Sequence, residues 1–364
     1  MTARPVSSGV ERQALAGVVS LPEFHHLAQA VVEQTALDYV DGGAWSEVSL
    51  AENEAAWLRY RLRPRVLVDV SRLDPSTTML GAAVSMPVGI APMAAHGLVH
   101  PEAELATARA AAAAGVPFTL STVSTRSIEA VAEAAPDGIR WFQLYAQADP
   151  GRSRSLVERA VAAGYRAIVL TVDLPVLGYR ERDRRNAFEL AGIFGNLVDE
   201  PPGTDQPQEE VFDARLQHLT WDDVATIRGW SGLPLVLKGI LAAEDARLAV
   251  EHGADAIVVS NHGARQLDRV AAPIDVLEEV AAAVPAGTEL WVDGGVRRGL
   301  DIAIARALGA HGVLVGRPIL WALAAGGQAG VERALAILRE EFELTLALLG
   351  TPTADAIGRE HVAR

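Results

Sequence analysis

The 364-residue chain contains no cysteine, which excludes disulfides, thiolate metal sites and cysteine nucleophiles. It is almost without lysine, since all but one of its 32 basic side chains are arginine and Lys238 stands alone. An arginine-biased genome accounts for the arginines but not for the surviving lysine. A basic surplus is missing too: the net charge of −14 argues against nucleic acid and anionic membrane surfaces, both of which reward a basic face. No apolar run approaches the length of a spanning helix, and no secretory signal opens the chain. The last residues, Glu360-His361-Val362-Ala363-Arg364, are no recognised address. A cytoplasmic protein with no membrane partner and no bound metal is the expectation.

What is present is enough for a large core: half of the residues are apolar and a fifth are charged. The length fits two average domains or one α/β barrel, which commonly runs to roughly 250 residues or more. Residues 1–20 read as a loose tail. From Leu21 the pattern is helical, with Pro22 at the start and Phe24, Leu27, Ala28, Val31 and Val32 on one face, until Asp38-Tyr39-Val40-Asp41-Gly42-Gly43 ends it. A further helical piece covers about 46–59, and Arg61 to Asp69 is an extended connector.

Beyond it, strand-like apolar runs recur at Val88–Met93, Phe118–Thr122, Ile139–Tyr145, Ala167–Asp173, Leu233–Gly239, Ala256–His262, Glu289–Gly295 and Gly312–Pro318. Helical stretches such as Glu102–Ala114, Ser153–Ala163, Ala243–His252 and Leu300–Leu308 separate them. Eight near-continuous apolar strands alternating with helices predict a parallel sheet closed into a (β/α)8 TIM barrel. An open doubly wound sheet is the alternative, but Met93-Ala94-Ala95-His96-Gly97 after the first strand is no dinucleotide fingerprint. The division expected is an N-terminal tail and helices over 1–60, packed on a barrel over 61–364. The connection after strand four, 174–232, is unusually long and includes Asp199-Glu200-Pro201-Pro202-Gly203. A mobile lid at about 190–215 is expected there. Gln328–Leu349 reads as a long amphipathic helix packed on the barrel.

Catalytic groups of such a barrel sit where strands end. The sixth apolar run breaks at Ser260-Asn261-His262-Gly263-Ala264-Arg265, presenting an imidazole that titrates near neutrality and a planar fork that grips carboxylates. The lone Lys238 ends the fifth. Reading the remaining ends gives Ala91, Pro92, Met93 and Ala94, then Ser121, Gln143, Tyr145, Thr171, Asp173, Asp293 to Arg297, Gly316 and Arg317. On the last two strands, Asp293-Gly294-Gly295-Val296-Arg297-Arg298-Gly299 and Gly316-Arg317 combine glycine turns, a helix N-terminus and guanidinium groups, which suits a phosphate.

These motifs resemble the FMN-dependent 2-hydroxy acid oxidase/dehydrogenase family, which includes glycolate, lactate and mandelate oxidases. The resemblance runs from about Leu21 to the C-terminus. It implies FMN as cofactor and oxidation of an (S)-2-hydroxy acid to the 2-oxo acid, with O2 as acceptor giving H2O2. In that family's pattern His262 is the base that takes a proton from substrate, and Asp173 orients it. Arg265 and Arg180 clamp the substrate carboxylate, with Tyr39 as a further donor, and Tyr145 bonds the hydroxyl end. Lys238 stabilises negative charge on the flavin, and Ser121, Gln143 and Thr171 hold its ring. Ala91–Ala94 line its face, Arg297, Gly316 and Arg317 hold its phosphate, and Ser260, Asp293 and Gly295 complete the cofactor set. Members acting on glycolate carry a bulky aromatic where this chain has Val123. With Met93 able to pack on an apolar substituent, a substrate of lactate size or larger, mandelate-like ones included, is expected. A homo-oligomer, tetramer or octamer, is implied as well.

Three other classes share the barrel. A nucleotide dehydrogenase of the inosinate type needs a cysteine nucleophile, which is missing. A Schiff-base aldolase using Lys238 leaves His262 and two arginines without work, and a non-catalytic phosphate binder leaves the His262–Asp173 pair without any. A flavin dehydrogenase or monooxygenase on the same substrates stays open.

Overall fold

The computed structural model describes residue 15 and residues 17–190, 194–197 and 219–364. Eight parallel strands close on one another in sequence order: β1 (Val88–Ile90), β2 (Phe118–Ser121), β3 (Arg140–Leu144), β4 (Ala167–Thr171), β5 (Leu235–Ile240), β6 (Ala256–Val259), β7 (Glu289–Val292) and β8 (Gly312–Val315). β8 pairs with β1 at Val313↔Val88 and Val315↔Ile90, which removes both edges. The open sheet is thereby excluded.

The strands are predominantly apolar, with Arg140, Gln143, Lys238 and Glu289 among the exceptions, because both faces are buried. Trp141, Val169, Val236, Val258, Trp291 and Leu314 form the cluster inside the barrel, where the two indoles stack with centroids 4.8 Å apart. Phe142, Leu170, Leu237, Ile257 and Val292 belong to the outer core shared with the helices. Each strand is shorter than its apolar run, losing one to three residues at the C-terminal end in most cases. The tails past Ile90, Thr171, Val259, Val292 and Val315 leave the ladder and turn towards a cavity, so their burial reads as strand in sequence.

The crossover helices fall where expected, as Ala103–Ala114, Pro150–Ala162, Ala243–Glu251 and Gly299–Ala307. The N-terminal helical stretch is two helices, Leu21–Gln29 and Gln34–Asp41, the second capped by the Glu33 carboxylate accepting from the Thr35 and Ala36 N–H groups. The piece expected at about 46–59 is a helix, Val48–Ala55, followed by a single tight turn, Trp57–Arg59. The final helix extends back to Arg317 but is interrupted at Gly326 and Gly327, the latter at φ +56. Its second half coincides with the expected Gln328–Leu349.

A hairpin absent from the sequence expectations, Thr77–Met79 with Ala82–Val84, closes the N-terminal mouth of the barrel. Met79 and Val84 join the inner cluster, and the Leu80 N–H donates to the Glu289 carboxylate at 2.9 Å. Only the C-terminal mouth is left for a site. Most of the lid expected at 190–215 lies outside the described residues. Its described flanks are packed: Leu190 is buried, and the Asn196 side chain accepts from Ile128 N–H at 2.8 Å and donates to Ser124 Oγ at 2.8 Å. Among the described residues no helix is long and apolar enough to cross a membrane.

Candidate active site

The chain leaving the C-terminal strand ends encloses a cavity with about 1080 Å3 of empty space, open mouth included. Ala91 to Ala94, Ser121, Val123, Tyr145 and Thr171 line one half of it. Lys238, His262, Arg265, Asp293, Gly295, Arg297, Gly316 and Arg317 line the other, and Tyr39 and Arg180 reach in from outside the barrel. Gln143, Asp173 and Ser260 stand one layer behind, each bonded to a lining residue. All the expected side chains therefore gather at one mouth. Val40 and Leu174 also line the cavity and were missed. Leu174 follows Asp173 directly and was within reach of the strand-end reading, whereas Val40 carried no signal.

His262 sits on a turn of unusual backbone. His262, Gly263 and Ala264 take φ values of +59°, +62° and +61° in succession. The left-handed region costs a non-glycine residue roughly 1–2 kcal/mol, so His262 and Ala264 are held there by their surroundings. The His262 N–H donates to Ser260 Oγ at 3.1 Å, and the Ala264 N–H donates to Asn261 Oδ1 at 3.0 Å. Arg317 Nη2 donates to Gly263 O and the Ala44 N–H to Ala264 O.

The turn aims the imidazole so that Nδ1 lies 2.8 Å from Asp173 Oδ1 and Nε2 lies 3.3 Å from the Tyr145 hydroxyl. Burial pushes the imidazole below its ordinary range, against the pull of Asp173 in the other direction. Burial alone raises the Asp173 carboxyl, but His262 and Lys238 more than offset it and leave it below the usual carboxylate range. A neutral ring beside an ionised carboxylate has one consistent tautomer: Nδ1–H donates to Asp173, leaving the Nε2 lone pair towards the cavity. Asp173 approaches this closely because residue 239 is glycine at φ +113. A Cβ there would lie 2.5 Å from Asp173 Cγ, and the β5–β6 register shifts at this point.

Lys238 is buried, with Nζ donating to Ser260 Oγ at 2.9 Å and lying 3.1 Å from Asp293 Oδ2. Burial opposes its charge, yet Asp293 and Asp173 prevail and hold the amine above its ordinary range. A Schiff-base amine has to be neutral to attack a carbonyl, so this environment disfavours the aldolase reading.

Buried polar atoms left without protein partners test whether a flavin suits the cavity. The amide of Gln143 is oriented by its neighbours, because Oε1 accepts from Ser121 Oγ at 3.0 Å and from the Thr122 N–H at 3.3 Å. Among the described residues its Nε2 then has no protein partner, and neither has Asp293 Oδ1. Such groups cost stability unless a ligand or water completes them. An amide donor, a carboxylate acceptor and a fixed ammonium match the carbonyls, hydroxyls and anionic charge of a reduced flavin mononucleotide. The residues fit the group.

Arginines supply the remaining chemistry. Arg180 is buried, with Nε donating to Arg265 O at 3.3 Å, and burial with the nearby Arg265 charge pushes it down to about 10. Arg265 is fixed by donating Nη1 to Tyr39 O and Gly42 O, with its guanidinium over the Tyr39 ring. Arg317 donates to the carbonyls of Val40, Gly42 and Gly263, and burial beside Arg265 and Arg297 pushes it down to about 9. Guanidinium groups do not lose protons in proteins. These buried guanidinium groups, crowded by one another's charge, therefore favour anions, which a phosphate and a carboxylate supply. One expected feature differs. The N-terminus of Gly299–Ala307 does not offer its first donors to a ligand, because the Arg297 and Arg298 N–H groups both donate to Asp301 Oδ2 at 2.9 Å and Gly299 N–H to Glu341. That leaves the Arg297 and Arg317 side chains and the Gly316–Arg317 backbone as the cavity's groups for a phosphate.

Residues 28–364 match the model of the FMN-dependent dehydrogenase family. The chain is 49% identical to an L-lactate oxidase of Nostoc sp. over 353 residues, covering 93% of this chain and 96% of the relative. It is 46% identical to a glycolate oxidase of Spinacia oleracea over 356 residues, covering 95% and 96%. Among solved structures it resembles mandelate oxidase with (S)-4-hydroxymandelic acid, at a TM-score of 0.89 and 42% identity, covering 95% of this chain and 98% of that one.

Proposed function

This chain belongs to the FMN-dependent dehydrogenase family, and on that premise we propose how its side chains divide the work, which substrate it takes and what reoxidises it. Its reaction is the FMN-dependent oxidation of a 2-hydroxy acid to the 2-oxo acid. Bound FMN supplies the two-electron acceptor. The observation that carries the division of labour is the ordered line Asp173–His262–Tyr145 opening onto a cavity edged by Arg180 and Arg265.

Arg265 and Arg180 grip the substrate carboxylate by charge-assisted bonds, and Tyr39 closes the same end. That anchor places the 2-hydroxyl between Tyr145 and His262. His262 Nε2 removes a proton from the substrate, and the ionised Asp173 stabilises the imidazolium that results. Lys238 keeps its positive charge at the Gln143–Asp293 side of the cavity, where it offsets the negative charge that oxidation of the substrate delivers. Ser121, Gln143, Thr171, Ser260, Asp293 and Gly295 hold the cofactor ring and chain, while Arg297, Gly316 and Arg317 hold the phosphate.

The substrate is a 2-hydroxy acid of lactate size or larger, mandelate-like acids included. Val123, Met93 and Leu174 are apolar lining residues of the cavity, and Val123 takes up less of it than the bulky aromatic of the glycolate-type members would. The acceptor is O2, in line with the small Ala94 at the cavity edge and the oxidase names of the relatives. The protein is further proposed to be cytoplasmic and to work as a homo-oligomer, a tetramer or octamer, and sedimentation equilibrium tests the oligomeric state.

Two experiments examine the core of this reading. His262→Ala should remain yellow and release FMN on denaturation but not be bleached anaerobically by any 2-hydroxy acid; bleaching at the wild-type rate would remove His262 from the mechanism. A panel from glycolate to mandelate should bleach the wild type faster with the larger acids, followed by reoxidation in air with one H2O2 per turnover. Preference for glycolate would overturn the substrate assignment. Slow reoxidation by O2 would favour a dehydrogenase, and a decarboxylated product a monooxygenase.

A further inference from the structure

The catalytic turn is braced from outside the barrel by one short helix, Val48–Ala55. Its N-terminal N–H groups at Val48 and Ser49 donate to the Asp268 carboxylate at 3.3 and 2.8 Å. Ser49 Oγ donates to Val270 O and accepts from the Val270 N–H. Both contacts hold the far limb of the 260–270 segment, well past His262. A third contact lies at the turn itself. The buried side chains of Asn53 and Asn261 exchange two hydrogen bonds across 208 residues of chain: Asn53 Nδ2 donates to Asn261 Oδ1 at 2.9 Å, and Asn261 Nδ2 donates to Asn53 Oδ1 at 2.7 Å.

The orientation of this pair is dictated from one end. Asn261 Oδ1 accepts the Ala264 N–H at 3.0 Å, and a backbone N–H can only donate. Oδ1 must therefore face the turn, and its second hydrogen bond must come from an amide NH2, which Asn53 provides. Among the described residues only two other bonds steady the Asn261 amide: the one from Ala264 and a long 3.4 Å contact from its Nδ2 to Ala271 O. Removing Asn53 leaves a buried amide half satisfied and free to rotate, and the Ala264 N–H, which Oδ1 shares with Asn261 O at 2.9 Å, then keeps only the backbone half of its cap in a turn whose three left-handed residues begin at His262.

We propose that Asn53 is a positioning residue of the reaction, which acts through Asn261 to hold the left-handed His262–Ala264 turn and so keeps Nε2 aimed into the cavity. The inference rests on His262 being the base. The helix Val48–Ala55 thus serves the reaction although it contributes no group that touches substrate.

Asn53→Ala and Ser49→Ala, both as FMN-loaded protein, separate this role from simple bracing. Each variant leaves buried partners of the same segment unsatisfied, so both lower the melting temperature. Only Asn53→Ala should slow anaerobic bleaching by a 2-hydroxy acid, by about tenfold to a hundredfold, the range expected when a buried hydrogen-bonding group loses its partner. The half-saturating substrate concentration and the binding of oxalate, an unreactive dicarboxylate read from the flavin spectrum, should stay as in the wild type because Arg180 and Arg265 are untouched. If Asn53→Ala does not fold, Asn53→Asp keeps the side-chain shape but sets a carboxylate oxygen against Asn261 Oδ1 in place of the donor, and it should slow bleaching as well. The double variant Asn53→Ala/Asn261→Ala should be no slower than Asn261→Ala alone. Wild-type bleaching in the folded Asn53 variant, equal slowing by Ser49→Ala, or additive losses in the double variant would each overturn the proposal. Undiminished bleaching in His262→Ala would instead bring down the assignment of the base on which it stands.

Discussion

Replacing Asp173 by asparagine changes one oxygen to an NH2 and leaves the volume alone, so its effect isolates what the carboxylate does to His262. The charged bond at 2.8 Å is of the kind that contributes roughly 1.5–3 kcal/mol, which corresponds to about a 10- to 150-fold loss if it acts fully on the protonated imidazole. A second effect adds to it. Asp173 packs over Gly239, where even a Cβ would clash with it, and an amide whose NH2 is turned towards Nδ1 forces the ring proton onto Nε2. That tautomer has no base facing the substrate, and general-base catalysis typically contributes 10²- to 10⁴-fold. We therefore expect Asp173→Asn to slow anaerobic flavin bleaching by about 10²- to 10⁴-fold with the half-saturating concentration within about threefold of wild type, the pattern of an interaction made only in the transition state. Stopped-flow absorbance across a pH series reads both quantities. Asp173 also raises the imidazole against the depressing effect of burial, so the acid limb of the residual activity should move to lower pH. A bleaching rate within threefold of wild type, or an acid limb moved upwards, would refute the coupling.

Other consequences follow from the same geometry. In the wild type the acid limb of the bleaching rate should lie below the ordinary imidazole value of about 6.5, because burial lowers His262. The burial of neutral His262 contributes stability that is fully present above the unfolded imidazole value and lost as pH falls towards the folded one; His262→Gln should flatten that part of a melting-temperature profile. Arg180→Leu removes one arm of the carboxylate clamp while relieving the crowding of Arg180 with Arg265. It should raise the half-saturating concentration by about 10- to 100-fold, as for loss of a charge-assisted bond, and leave FMN bound; an unchanged value by steady-state assay would exclude Arg180 from the clamp. Lys238→Arg places a planar fork where Nζ now meets Ser260 and Asp293 in a buried space. The variant should lose FMN affinity by equilibrium dialysis, whereas wild-type affinity and turnover would show that any cation suffices there.

The closed barrel was readable in the sequence because each strand is buried on both sides and must be predominantly apolar along its length. The period of strand and helix then leaves few topologies. The strand-end chemistry was equally readable, since a barrel brings the C-terminal ends of all its strands to one rim whatever the details of packing. Lys238 announced itself by being the only lysine, and Ser260 to Gln266 by its residue types. The exact strand ends were not readable: the residues past Val259 or Val292 stay buried while leaving the ladder, and burial is the only property that composition reports.

What the tertiary structure alone decided lies in contacts between segments remote in sequence. The hairpin that plugs the barrel floor has too few residues to show a period. Nothing in the residue types of 48–55 ties Asn53 to a turn 208 positions away, and nothing in Gly239 announces that Asp173 will lie against it. The residue types determined which chemical groups the protein has and the cylinder that gathers them. The orientation of the imidazole, the charge state of the lysine and the orphaned donor of Gln143 were settled by packing, because a side chain's protonation and aim depend on neighbours that the linear chain does not name.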